Sequence, residues 1–305
     1  MADNSEICDV IVVGTGPAGI SAAVNLKILG ADFILFGHSS LSEKVERSEL
    51  IRNYPGLPEV TGPELNRLFA EHLSAAGVEI RNENVVGIYD MGDYLSVLTD
   101  KRSVNAFSVI IASGVQSLKP AKGELEFLGR GVSYCATCDG ELYRGKKIAV
   151  VCDSPALEHE AVYLSSLAGY MYYFPVMKET SVKESDTLRI AGGTVKEVSG
   201  GMKVQSVITS SGESIDVDGV FFLKRSVSPS ALMFGLATDE DGHIVVSRDM
   251  SASVRGCFAA GDVTGRPYQL AKAAGEGNTA AHSALALAKQ RREEQKLQKI
   301  QRQNT

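Results

Sequence analysis

The stretch that most restricts the fold lies near the N-terminus. There a β-branched run, Asp9 to Val13, ends at Gly14-Thr15-Gly16-Pro17-Ala18-Gly19. Glycines at that spacing, between a strand and a helix pattern, leave few architectures open. The first permits a tight turn, and the second lets a pyrophosphate come up against the backbone. The third lets helix and strand pack closely, with the helix N-terminus facing an anion. A helical pattern runs from Ile20 to Leu29 and stops at Gly30, and Phe33 to Phe36 reads as the next strand. This is the opening of a doubly wound α/β domain. A glycine turn serving packing alone is the competing reading, and the flanking elements argue against it. No acidic residue ends the second strand, where Phe36-Gly37-His38 stands, so the usual ribose contact is not visible.

Other pieces of the same domain lie far away in the chain. Phe107 to Ala112 is a buried-strand candidate closed by Ser113-Gly114, and Gly256-Cys-Phe-Ala-Ala-Gly261-Asp262 is another strand running into a glycine-acid turn. In a domain built from both chain ends, that turn can aim a carboxylate and backbone amides at the ribityl and phosphate groups of a flavin. Gln269 and the small residues from Ala271 to Gly277 favour FAD over NAD for this loop, while a helix cap is the plainer reading of Asp262 alone. Between the two ends a second strand-turn-helix occurs. Lys147 to Val151 leads into Cys152-Asp153-Ser154-Pro155-Ala156-Leu157, and a helix pattern follows to about Leu167. The scaffold of a second dinucleotide-binding unit is there without its glycines. The expected architecture is therefore α/β, with two doubly wound nucleotide-binding-type (Rossmann-like) domains, the second inserted into the first. The boundaries fall at 1–116 and 239–305 for the first domain and 117–238 for the inserted one.

A chain of 305 residues has room for two such cores. Its net charge of -6 gives no reason to expect nucleic-acid binding, and no apolar run approaches the roughly 20 residues needed to span a bilayer. The polar Met-Ala-Asp-Asn-Ser-Glu start resembles neither a signal peptide nor a transit sequence, so a cytoplasmic protein without membrane attachment is expected.

Five cysteines in such a chain do not form a disulfide framework. Cys8, Cys152 and Cys257 lie in or beside apolar strands and read as buried small hydrophobes. Cys135 and Cys138 form a C-x-x-C pair, whose disulfide is readily reduced, and Asp139 next to it is a plausible proton donor or acceptor. A purely structural pair and half of a zinc site are the alternatives. No second C-x-x-C or histidine pair lies at suitable spacing, so no metal is expected.

Together these segments carry a resemblance. Gly14-Thr-Gly-Pro-Ala-Gly19, Asn53-Tyr-Pro-Gly56, Ile111-Ala-Ser-Gly114, Gly131-Val-Ser-Tyr-Cys-Ala-Thr-Cys-Asp-Gly140, Phe258-Ala-Ala-Gly-Asp-Val263 and Gln269-Leu-Ala-Lys-Ala-Ala-Gly275 resemble the low-molecular-weight thioredoxin reductases, in order from about Cys8 to His282. The resemblance implies a homodimeric FAD protein. It assigns FAD contacts to Gly14, Thr15, Gly16, Pro17, Ala18, Gly19, Asn53, Val85, Ala112, Ser113, Gly114, Gly261, Asp262, Gln269 and Leu270. It also implies that Cys138 faces the flavin, that Cys135 attacks the thioredoxin disulfide, and that Asp139 is the acid/base.

The departures select a branch. Members that use a pyridine nucleotide carry a glycine-rich loop in the inserted domain and, after it, a His-Arg-Arg-like cluster for the 2′-phosphate. Here Cys152 to Leu157 replaces the loop, with Asp153 setting a negative charge where a pyrophosphate must sit, and Pro175-Val176-Met177 replaces the cluster. Lys224-Arg225-Ser226-Val227-Ser228-Pro229 stands for Gly-His-Ser-Pro. Ser42-Glu43-Lys44 stands for Gly-Gly-Gln, so that flavin contact is not carried over. The pattern resembles the ferredoxin-dependent flavin thioredoxin reductases and the related deeply rooted thioredoxin reductases. The implied partners are thioredoxin and an electron-donating ferredoxin. A reductase that takes NADPH through an atypical site, and a non-catalytic flavoprotein redox sensor, are the alternatives.

Lys289 to Arg302 carries six basic and two acidic side chains and little to bury, which predicts a solvated, fraying helical tail. Its cations, or Lys224 and Arg225 at the altered third element, are expected to attract an acidic ferredoxin.

Overall fold

The computed structural model describes residues 7–115, 120–224 and 228–303. Arg225 lies outside them. The chain divides into two compact units, Met1–Val115 with Leu232–Thr305, and Gln116–Ala231.

The larger unit is built on strands β1 (Cys8–Val13), β2 (Phe33–Phe36), β3 (Ile80–Arg81), β4 (Val85–Asp90), β5 (Leu95–Thr99) and β6 (Ser103–Ile111). Their order is β3-β2-β1-β6-β5-β4, parallel from β3 through β6 and antiparallel from β6 to β4. All residues of β1 are buried, as a central parallel strand covered on both faces requires. Helices α1 (Pro17–Ile28), α2 (Glu43–Glu46) and α3 (Gly62–Ala75) belong to this unit. At the start of α3 the Thr61 hydroxyl accepts from the Glu64 amide, a side-chain cap.

The smaller unit contains strands β7 (Val132–Ser133), β8 (Lys147–Cys152), β9 (Tyr170–Pro175), β10 (Leu188–Ile190), β11 (Val195–Gly200), β12 (Val204–Thr209), β13 (Ser214–Asp216) and β14 (Gly219–Leu223), with helices α4 (Ala136–Asp139) and α5 (Glu158–Leu167). Five of these strands make a parallel sheet, β10-β9-β8-β14-β7, and β11-β12-β13 make an antiparallel one. A core of Val150, Leu157, Leu164, Tyr173 and Phe221 fills the space between the parallel sheet and α5.

After a short helix, α6 (Pro229–Leu232), the chain re-enters the larger unit. Strand β15 (Cys257–Ala259) adds to β6 in parallel, and α7 (Leu270–Gln303) runs to the end of the described chain. Alanines at 280, 281, 284 and 288 join Ala22 and Ala23 of α1 in one buried cluster. Small residues let the two helices approach closely: a Cβ on Gly277 would lie 2.1 Å from the Ala18 carbonyl oxygen. The C-terminal segment is thereby held against the glycine loop at the other end of the chain.

The terminal segment is helical and exposed at Lys289, Glu293 and Lys296 to Gln298, as expected of a solvated tail, but it is tied down at Arg291 and Arg292. It continues α7, and Arg291 is buried, donating to the Phe107 and Arg255 carbonyls. Arg292 pairs with Asp9 at 2.7 Å and lies over the Phe107 ring. The long aliphatic stems of these arginines cover the sheet while their charged ends find carbonyls and a carboxylate, a use of basic residues that charge counting does not reveal. Lys289 and Lys296 are exposed. Among the described residues no helix is long and apolar enough to cross a membrane.

Candidate functional site

The glycine loop has the form of an anion cradle. Gly14 adopts φ +115°, and a Cβ there would meet the Ala112 carbonyl oxygen at 2.3 Å; a Cβ on Gly19 would meet the Gly14 oxygen at 1.9 Å. Both positions therefore need glycine for the turn and for packing. Gly16 is different: a Cβ there meets nothing within 4 Å. Gly16 is the N-cap of α1 and offers no side chain to its first-turn amides, and Pro17 follows at the position where an amide is dispensable. Thr15 turns its hydroxyl to the His38 carbonyl at 2.9 Å. Open space over uncapped amides fits the diphosphate of FAD.

Several of the predicted cofactor residues are brought to this loop from elsewhere in the chain. Ala112, whose amide bonds the Val13 carbonyl, precedes Ser113 and the positive-φ Gly114. From the C-terminal segment, Gly261 at φ +87° is so near that an added Cβ would lie 2.8 Å from the Ala18 Cβ. Asn53 and Gln269, separated by 216 positions, bond directly, Nδ2 to Oε1, at 2.8 Å. Leu270 packs on a small core of Val45, Ile51, Val60 and Leu65. Val85 opens β4 and pairs with Thr99.

Three residues beside Asp262 were not found by reading the sequence. Lys44 reaches the Asp262 carboxylate at 2.5 Å and lies 4.7 Å over the Tyr268 ring. Lys44 thus contributes a charge where the family's glutamine contact had been lost. Lys272 donates to the Gly261 carbonyl, to Thr264 and to Glu276, while Glu276 accepts the Gly261 amide at 2.8 Å. The i, i+4 spacing of Lys272 and Glu276 signalled their pairing, though not its attachment to the turn.

In the smaller unit Cys135 and Cys138 are joined by a disulfide, with Cα atoms 5.3 Å apart. Cys135 is buried and Cys138 exposed. The Cys138 amide donates to the Cys135 sulfur at 3.1 Å, and the Thr137 hydroxyl lies 3.5 Å from it. An amide aimed at that sulfur stabilises the thiolate that forms when the bond opens. Ser133 organises the opposite side. Its hydroxyl donates to the Asp139 carboxylate at 2.6 Å and accepts the Cys135 amide at 3.1 Å. The other three cysteines are free and buried. Among the described residues no group of three or more His, Cys, Asp or Glu is placed to hold a metal.

The second turn presents a contrasting surface. Pro155–Leu157 form a 3-10 turn whose first free amide, that of Ala156, donates to the buried Ser154 hydroxyl. The Asp153 amide bonds the Leu223 carbonyl at 3.1 Å, and the Val176 amide bonds the Cys152 carbonyl at 2.9 Å. Met177 packs against the unit's core. The Ser154 hydroxyl thus holds an amide of the kind that the first loop leaves uncapped.

Lys224 corrects an expectation. It is not a surface cation for an acidic carrier: its side chain is 3% exposed and pairs at 2.5 Å with Glu124, itself 1% exposed. The Tyr134 hydroxyl donates to the same Glu124 oxygen at 2.7 Å, next in sequence to Cys135. A buried lysine needs such a partner, because an unpaired charge there is costly.

With this geometry in hand, comparison with known proteins is informative. The family described as pyridine nucleotide-disulphide oxidoreductase matches residues 8–152 and 180–277, and the unmatched stretch between begins within the altered turn. A thioredoxin reductase of Bacillus subtilis is 31% identical over 304 residues, spanning 91% of this chain and 94% of that one. Among solved structures, a ferredoxin-flavin thioredoxin reductase from Clostridium acetobutylicum is 43% identical, with a TM-score of 0.85 over 93% of this chain and 98% of the other. A thioredoxin reductase from Gloeobacter violaceus is 27% identical with a TM-score of 0.74, covering 93% and 95%.

Proposed function

Since the chain belongs to the pyridine nucleotide-disulphide oxidoreductase family, we propose that it is a flavin-dependent thioredoxin reductase supplied with electrons by reduced ferredoxin rather than NADPH. The observation that carries the choice of donor is the second turn, where no glycine stands and the Ser154 hydroxyl holds the Ala156 amide. Likeness to the Clostridium acetobutylicum ferredoxin-flavin thioredoxin reductase supports it.

FAD supplies a centre that can take electrons singly and release them in pairs. The residues proposed to hold it are Gly14 to Gly19, Asn53, Val85, Ala112 to Gly114, Gly261, Asp262, Gln269 and Leu270. In the larger unit the chain contributes an uncapped helix N-terminus for the diphosphate and the Asp262 carboxylate, steadied by Lys44. In the smaller unit an electron pair delivered to the Cys138 sulfur breaks the disulfide and leaves Cys135 as a thiolate beside the Cys138 amide. Cys135 then attacks the thioredoxin disulfide, and the Cys138 thiolate displaces thioredoxin from the resulting mixed disulfide. Asp139, oriented by Ser133, handles the thiol proton. Because Cys135 is buried while the bond is closed, its role requires it to become accessible once the bond opens. A ferredoxin near about -400 mV and a thioredoxin couple near about -270 mV make the overall transfer downhill.

The functional division is proposed to follow 1–116 and 239–305 for FAD and 117–238 for the redox pair, and the presence of two compact units, the smaller one spanning Gln116–Ala231, supports it. The protein is proposed to act as a cytoplasmic homodimer. Anaerobic titration tests the donor: reduced ferredoxin should bleach the flavin band, and bleaching by stoichiometric NADPH refutes the reading. Reduction of thioredoxin by the ferredoxin-reduced protein tests the rest.

A further inference from the structure

Glu158 is the first residue of α5 and is 4% exposed. Its carboxylate accepts the Tyr173 hydroxyl at 3.1 Å and the Ser181 amide at 3.0 Å, together with the hydroxyls of Thr180 and Ser181. Four donors converging on one carboxylate make an anion cradle, and the anion belongs to the chain itself. In an open α/β sheet, a dinucleotide is gripped at two places: the N-terminus of the helix after the first strand and the end of the second strand. Here those places are the start of α5 and the segment following β9, and Glu158 bridges them.

We propose that Glu158 is a specificity-determining residue, an internal anion that occupies the donors a nucleotide phosphate would use and fastens residues 180–182 to the start of α5. The proposal deepens the ferredoxin reading and rests on it. Loss of glycines alone would leave hydroxyls and amides still able to attract phosphate. A tethered carboxylate removes that residual affinity, because any free anion must displace a group held at high effective concentration. The segment that carries the donors at 180 and 181 has a second anchor. Val182 is buried in the core of the unit, and its amide bonds the Thr180 hydroxyl at 3.1 Å. Removing the carboxylate therefore exposes a prepared site.

The test uses the full-length, FAD-loaded Glu158→Ala protein titrated with inorganic phosphate by calorimetry, alongside thermal melting. Saturable binding of one phosphate per chain is expected, roughly tenfold or more tighter than in wild type, since the donors are those of charge-assisted hydrogen bonds. Phosphate should raise the melting temperature of the variant and not that of the wild type. Adding Thr180→Val and Ser181→Ala to Glu158→Ala should abolish the gain. A folded Glu158→Ala protein whose phosphate response equals that of wild type overturns the role of Glu158. Should that variant fail to fold, Glu158→Ser replaces it, uncharged and small enough to vacate the site. A phosphate-induced rise in melting temperature above that of wild type then supports the proposal, and an equal response overturns it. The parent reading fails separately: NADPH bleaching the wild-type flavin refutes it whatever phosphate does to the variants.

Discussion

Gly16 and Ser154 hold comparable stations, each just before a helical turn that follows a buried parallel strand. At Gly16 the backbone is bare, the neighbouring space is open, and no side chain caps the amides. At Ser154 a hydroxyl meets the first free amide, and four positions later a carboxylate is fixed by Thr180, Ser181 and Tyr173. The sheets that support the two turns are built alike, parallel and fully buried at their centres. A fold can thus keep the frame of a nucleotide site after its polar donors have been turned inward. What decides binding is whether those donors remain unsatisfied until a ligand arrives.

The sharpest division of labour between the units concerns sulfur and flavin. Cys135→Ser should lower thioredoxin reduction on the order of a thousandfold or more and leave the flavin content unchanged; a simultaneous loss of flavin would blur the comparison. Lys224→Met leaves Glu124 buried without its cation and should destabilise the smaller unit by about 3–5 kcal/mol. Urea unfolding followed by labelling of Cys152 reports that unit, and pairing the change with Glu124→Leu should recover most of the loss. Gly16→Asp transfers to the first turn the charge that the second turn carries at Asp153. The open space around Gly16 accommodates the new side chain, so circular dichroism should not change. FAD affinity should fall by at least about tenfold, since each charge-assisted hydrogen bond lost is worth about 1.5–3 kcal/mol. Full flavin occupancy in this variant would break the comparison.

The smallest expected effect is a pH dependence. Burial acts to raise the Glu158 pKa, but the hydrogen bonds from Ser181 and Thr180 outweigh it and hold the group below its ordinary value of 4.5. The stability it contributes is complete above that value and is lost as pH falls through the lower value of the folded state. The urea midpoint of the smaller unit should therefore decline in acid, and Glu158→Gln should flatten that decline. An unchanged slope would remove Glu158 as its source.

What could be read beforehand was whatever the chain encodes locally. The strand Phe33–Phe36, the strand beginning at Lys147 and the helix ending at Leu167 follow from runs of apolar residues and glycine stops. Gly14 and Gly19 follow from close packing, and the C-x-x-C pair from its spacing. Pairings across long separations were not readable. Lys224 read as a cation available to an acidic carrier, while its partner Glu124 lies 100 positions away. Lys44 meets Asp262 across 218 positions. Nothing in the sequence sets Glu158 apart from other first-turn helix acids, and the donors at 180 and 181 belong to a segment with no pattern of its own. The antiparallel sheet of β11 to β13 was also missed, since its strands are short and half-exposed.

The quiet cysteines have a practical outcome. Burial pushes the Cys8 and Cys257 thiols up to about 12, and the Cys152 thiol is raised as well. None of the three offers appreciable thiolate near neutrality. An alkylating reagent applied to the reduced, native protein should therefore tag two sulfurs per chain, and to the oxidised protein none. Mass added on alkylation then reads out directly the fraction of molecules carrying a charged dithiol, with no background from the remaining sulfur atoms to subtract.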